Sequence, residues 1–295
     1  MSVDTVPVES AAAVGAAGAD VRRRELLREL KAQPAFWFGA FILGFWILSA
    51  IFGSLVVQDP LAQTLSKINQ APSSEHLFGT DQLGRDVLAR VIIGARPILI
   101  VAPLATLLGT VAGTALGLVM GYFRGAVDDI VSRFVEAFLA LPLVVTGILL
   151  SVALGASNTT LIIVIGIVFT PLIARTVRAA VLQERDLDYI AAARLRGESS
   201  LYIMFAEILP NILAPIMVEF TVRLGYAVFT IVSLSFLGYG LQPPDPNWGS
   251  EIAANYQQVA AGYWWEVLFD ALAVASLVIG VNLVANSIER GLDAS

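Results

Sequence analysis

Long apolar runs alternate with short polar stretches along the chain. The first run covers residues 36–57, twenty-two positions without a charge, and about 20 residues cross the hydrocarbon core of a bilayer. Further runs follow at 98–122, 131–154, 160–174, within 211–240 and at 267–286. Pro142 lies inside the third run and Pro171 near the end of the fourth. Proline is tolerated there because neighbouring membrane helices re-satisfy the carbonyl it frees. The pattern predicts an all-α integral membrane protein of about six transmembrane helices. The first run is too long for a signal-peptide core and no small-residue cleavage site follows it, so it reads as a retained span.

The polar stretches divide the remainder. Residues 1–20 are Ala-, Val- and Gly-rich without periodicity and read as a disordered tail. Residues 21–35 carry Leu26, Leu27 and Leu30 on one helical face and charges on the others, as an interfacial amphipathic helix would. Residues 36–57 form the first transmembrane helix, 58–97 an extracytoplasmic segment, and 98–289 a five-helix core with a cytoplasmic loop at 176–210. Residues 290–295 form a C-terminal tail.

Basic residues set the orientation. With six spans, Arg22, Arg23, Arg24, Arg28, Lys31, Arg124, Arg133, Arg175, Arg178, Arg185, Arg194, Arg196 and Arg290 fall on one side, and Lys67, Arg85, Arg90 and Arg96 on the other. Thirteen against four predicts cytoplasmic N- and C-termini. Composition agrees with a membrane protein: 57% of residues are hydrophobic and 14% charged, against about 25% charged in soluble domains. The net charge of -6 gives no basic surface for nucleic acid. The absence of cysteine and the single histidine, His76, exclude disulfides, thiolate sites and a multi-histidine zinc site, so no metal site is expected.

Two features lie inside the spans. Gly109, Gly113, Gly117 and Gly121 recur every fourth residue and make a smooth ridge that admits a neighbouring backbone, predicting tight packing rather than a pore lining. Glu219 and Arg223 stand one helical turn apart in the fifth run. Such a pair seldom faces lipid. It either borders the translocation pathway or neutralises itself as a structural pair. Trp37, Tyr263, Trp264 and Trp265 suit interfacial belts.

Three segments outside the spans carry pattern. In the first, Asp81 with Arg85, and Asp86 with Arg90, have helical ion-pair spacing, and Val87, Leu88, Val91 and Ile92 form an apolar stripe. A capped amphipathic helix leading into the second span is expected, and the arginines argue against a metal site on Asp81 and Asp86. In the second, Tyr189, Ala191, Ala192, Ala193 and Arg194 form a short helix that Gly197 ends, with Pro210 before the fifth span. That helix suits docking of a soluble partner. The third, 241–249, is stiffened by prolines and anchored by Trp248; it either meets an external partner or closes the bundle.

Lys31 and Lys67, the only lysines, follow Leu30 and Ser66, so no Gly-Lys-Ser/Thr phosphate loop exists and the chain holds no Walker-type nucleotide site. No nucleophile elbow or two-histidine helix is present either. The chain therefore reads as a non-catalytic membrane subunit. A secondary transporter is the rival reading, but no internal repeat and no set of ion-coupling acids supports it.

The segment Ala191-Ala192-Ala193-Arg194-Leu195-Arg196-Gly197, followed by Ile208-Leu209-Pro210, resembles the EAA loop of permease subunits of bacterial ABC importers. The stretch from Gly79-Thr80-Asp81 through Gly84-Arg85-Asp86 to Gly94-Ala95-Arg96 is similar to the C-type subunit of the dipeptide, oligopeptide and nickel branch. So is Leu234-Ser235-Phe236-Leu237-Gly238 with Asn247-Trp248-Gly249. Ala191 replaces the family's usual glutamate, Glu207 a frequent histidine, and Thr230 to Ser233 lack the acid often found there. The resemblance implies a type I importer permease fold in the bacterial inner membrane, multi-pass. It implies a B-type permease partner, two ABC ATPase subunits or domains at the cytoplasmic face, an extracytoplasmic solute-binding protein and surrounding lipid. ATP and magnesium would act on the ATPases, with no cofactor bound by this chain. The implied solutes are di- and oligopeptides, or alternatively nickel chelates and related small molecules.

Overall fold

The structure, a computed structural model, describes residues 30–293 except 156 and 243. The expected tail at 1–20, most of the interfacial helix at 21–35 and the last two residues lie outside the described residues.

Nine α-helices of eight or more residues are present among the described residues: α1 Pro34–Val56, α2 Val87–Phe123, α3 Gly125–Leu139, α4 Leu143–Leu154, α5 Asn158–Glu184, α6 Asp188–Leu195, α7 Leu213–Phe236, α8 Trp248–Asn255 and α9 Trp265–Asp293. Five are long and apolar enough to cross a membrane, or six if the bent α3–α4 pair makes one span. Pro34 starts α1 at a position where its missing N–H costs nothing. Asp86 caps α2 by accepting from the Ala89 N–H at 2.8 Å, and Ser157 caps α5 by accepting from the Thr160 N–H at 3.0 Å.

The helices depart from the apolar runs in four places. The amphipathic stretch before the second run is not a separate helix: α2 continues through it for 37 residues, about 55 Å. The third run is not one straight span, because α3 and α4 meet at 92° around Pro142. Proline lacks the donor and disfavours helical geometry at Leu141, so the helix stops and restarts. The expected loop at 176–210 begins later, since α5 continues to Glu184. The apolar run ends before the helix does because Arg178 finds Asp128 on α3, with both nitrogens at 2.6 Å. Finally, α9 continues through 290–293, part of the expected tail.

Helices α2 and α5 make the most extensive pair. A Cβ at Gly109 would lie 3.0 Å from the Gly166 carbonyl oxygen, one at Gly113 2.8 Å from that of Thr170, one at Gly117 2.7 Å from that of Ala174, and one at Gly121 2.6 Å from the Val181 Cβ. The whole ridge thus faces one helix, backbone against backbone. Helix α1 covers α9 and α2 with one face, where buried Trp46 donates to Ser276 Oγ at 3.0 Å. Its other face exposes Phe38, Phe41, Phe45, Ile51 and Leu55, as a lipid-facing surface does.

Candidate functional site

At one end of the bundle, α6 lies across the ends of α2 and α5. Its residues Ile190 and Ala193 are buried, while Ala191, Ala192, Arg194 and Leu195 are exposed, with Leu195 at 90%. Gly197 ends the helix with φ +80°. The Glu198 N–H reaches the Ala193 carbonyl at 3.2 Å and the Gly197 N–H that of Arg194 at 3.0 Å. These two bonds satisfy carbonyls that the helix end leaves free, and only a residue without Cβ adopts the left-handed backbone cheaply. The short helix therefore ends in a closed cap although it projects.

Its mounting is polar. The Tyr189 hydroxyl donates to Glu184 Oε1 at 2.6 Å and accepts from Asn211 Nδ2 at 3.0 Å, linking α6 to the end of α5 and to the segment before α7. Burial pushes the Tyr189 phenol up to about 12, and the bond to Glu184 acts in the same direction, so it stays a neutral donor. The Arg194 guanidinium lies 5.5 Å from the Tyr122 ring centroid. Arg185 donates to the Tyr122 carbonyl at 2.5 Å, placing a cation where α2 leaves carbonyls unpaired. A π-helical turn, Ile203–Ile208, and Leu209–Asn211, containing Pro210, lead into α7.

Glu219 and Arg223 pair within α7 at 2.9 Å, and Thr176 of α5 donates to the other Glu219 oxygen at 2.8 Å. Arg223 also lies 5.6 Å from the Tyr226 ring centroid. Both side chains are partly buried. Replacing Glu219 by alanine strands a guanidinium; the single variant is expected to lose about 1–3 kcal/mol. The double Glu219→Ala/Arg223→Ala variant should lose less. Thermal unfolding of the purified protein reads the difference, and equal losses would contradict it.

The opposite end holds a buried charged network that spacing alone misassigned in part. Asp81 and Arg85 do pair, at 2.6 Å, but in a turn before α2 rather than on a helix. Asp86 does not pair with Arg90: it caps α2 and meets His76 Nδ1 at 2.8 Å. Arg90 instead bonds Glu251 of α8 and the Pro60 carbonyl, and Arg85 approaches Glu251 at 3.5 Å. Glu251 was not singled out from the sequence. Nor were Glu266 and Asp270, both buried at the start of α9; two acids one turn apart at the head of an apolar run were the available signal. Trp265 is not a belt residue, since its indole donates to the Thr80 carbonyl at 3.1 Å. Trp248 is fully buried, donates to the Val91 carbonyl at 2.9 Å and meets Trp46 edge-on at 4.8 Å, so the segment ending at Gly249 closes the bundle. Among the described residues no three histidine or carboxylate groups converge as a metal site requires.

The family described as binding-protein-dependent transport system inner membrane component matches residues 113–295, and the N-terminal TM domain of oligopeptide transport permease C matches residues 22–72. The dipeptide transport system permease protein of Alkalihalophilus pseudofirmus is 36% identical over 271 residues, 92% of this chain and 89% of that protein. The protein of the same description from Escherichia coli K12 is 42% identical over 221 residues, 75% of this chain and 73% of the relative. A chain of the MetNI methionine ABC transporter, solved in inward-facing conformations, has the same fold: TM-score 0.56 at 21% identity, covering 70% of this chain and 96% of that one.

Proposed function

Because this chain belongs to the family of binding-protein-dependent transport system inner membrane components and is a multi-pass membrane permease of the ABC importer kind, we propose that it carries di- and oligopeptides into the cytoplasm, powered by ATPases on other chains. Its relatives over nine-tenths of its length are dipeptide transport permeases, and that observation carries the reading. We assign a second, B-type permease as its membrane partner, two ABC ATPase subunits or domains at the end bearing α6, and a solute-binding protein at the opposite end. Both termini are then cytoplasmic.

In this reading α6 is the coupling element. Exposed Leu195 and the small face of Ala191 and Ala192 suit insertion into a groove of an ATPase. Tyr189 ties the helix to α5 and Arg194 ties it to α2, so a push on α6 moves packed helices as rigid bodies. Pro210 marks the joint where that push passes to α7, on which Glu219 and Arg223 border the route. Magnesium and ATP act on the ATPases, and this chain binds neither.

The test is uptake of a labelled dipeptide by the reconstituted four-component transporter. Leu195→Glu and Gly197→Val are expected to abolish both uptake and the extra ATP hydrolysis that loaded binding protein elicits. Undiminished stimulation in both variants would remove α6 from the coupling role; absence of dipeptide uptake by the unaltered protein would remove the peptide assignment.

A further inference from the structure

At the end remote from α6, a cleft of about 270 Å³ opens between α2, the first turn of α5 and the segment before α8. Arg96, Asn158 and Asp245 line it together with apolar Ile100 and Pro246. Arg96 and Asp245 carry opposite charges, yet among the described residues neither takes part in an ion pair. All three polar residues are exposed. By contrast Arg85 and Arg90, nearby on the same side, are both consumed by carboxylates.

We propose that this cleft is a receiving site for a zwitterionic peptide, with Arg96 taking the terminal carboxylate and Asp245 the terminal ammonium. A guanidinium fork matches a carboxylate with two parallel N–H···O bonds. The first turn of α5 supports the same charge, since Asn158 opens a 27-residue helix whose dipole is positive there. Ile100 and Pro246 supply apolar wall for a side chain between the two termini. The volume lies just below the range of about 300–1,000 Å³ typical of drug-sized ligands, which favours a solute of dipeptide size. The opposite free charges favour a ligand bearing both, rather than a simple anion. This assignment rests on the peptide reading above and adds to it a binding site on the permease itself.

Saturation-transfer NMR on the complete permease–ATPase complex in nanodiscs, without binding protein, tests it. Three probes are used: glycyl-leucine, its C-terminal amide and its N-acetyl form. Glycyl-leucine is expected to bind, and Arg96→Gln to weaken it roughly tenfold, as loss of a charge-assisted contact does. The amide should bind weakly and be insensitive to Arg96→Gln, and the N-acetyl form insensitive to Asp245→Asn. Arg96→Lys, which keeps the charge but not the fork, should bind more weakly than the unaltered protein and more strongly than Arg96→Gln, which separates lost charge from lost fold. Equal binding of all three probes, or binding unchanged in Arg96→Gln and Asp245→Asn, overturns the site. If the intact transporter takes up glycyl-leucine while that happens, the peptide reading stands and only the cleft is wrong; if it takes up no peptide, both fall.

Discussion

Gly117→Leu is expected to prevent accumulation of well-folded protein, and it should be the most damaging single change in the membrane core. The Cβ alone would lie 2.7 Å from both the Ala174 carbonyl oxygen and the Val177 Cβ. The oxygen belongs to helix backbone and cannot rotate away, so α2 and α5 must separate along their shared ridge. Overpacking a well-filled interior costs about 1–3 kcal/mol and occasionally more. Here the lost contact extends over four glycines, and close van der Waals packing at small residues is one of the forces that join membrane helices. Gly117→Ala should show the same defect in weaker form. Gly44→Ala is the matched control: nothing lies within 4 Å of its Cβ position, so it should be neutral or stabilising by up to about 1 kcal/mol. Monodispersity in detergent and the unfolding temperature check the series. A normal Gly117→Leu protein would contradict the geometry.

Glu251→Ala is expected to be nearly as severe, through charge rather than volume. Glu251 neutralises Arg90, which is only 3% exposed, and approaches Arg85. Removing one partner of a buried pair costs about 3–5 kcal/mol because the other charge stays buried. The turn holding Asp81 should loosen with it, since Asp81 positions the Arg85 side chain. Proteolysis within 58–86 should therefore accelerate along with the drop in unfolding temperature. Asp270→Asn provides the contrast. Asp270 is equally buried, but its Oδ1 has no hydrogen-bond partner among the described residues. The amide should cost much less than the Glu251 change. Similar losses in the two variants would mean that the acids act as one undivided pool of charge.

Both predictions rest on features that differ in how far the chain reveals them. The glycine ridge is visible as a spacing of four, because small residues on one helix face stay on that face wherever the helix goes. Its partner is not visible: nothing in the apolar run 160–174 marks Gly166, Thr170 and Ala174 as the backbone that the ridge meets. The approach of Gly39 to the Gly280 carbonyl, 2.9 Å from the Cβ position, carries no spacing signal. The charged network shows the same division. Asp81–Arg85 is a local pair and was readable, although its turn was not. Arg90 has an acid four residues before it, and the rule for helical pairs selects that acid. The helix begins at Val87, so Asp86 is engaged as its cap, and Glu251, 161 positions away, takes the guanidinium.

The sequence by itself determined that the chain spans a membrane about six times, that it has no nucleotide-binding loop, and that a small alanine-rich helix ends at Gly197. Each depends on properties summed over one turn or one 20-residue run: hydropathy, the presence of a lysine after glycine, the backbone freedom of one residue. Tertiary structure alone decided where helices end beyond their apolar runs, how α3 breaks from α4 at Pro142, and which carboxylate each arginine meets. It also brought Arg96, Asn158 and Asp245 to one cleft. Those outcomes depend on which groups are desolvated together, and Coulomb energy and steric contact are set by distance in space rather than by separation along the chain.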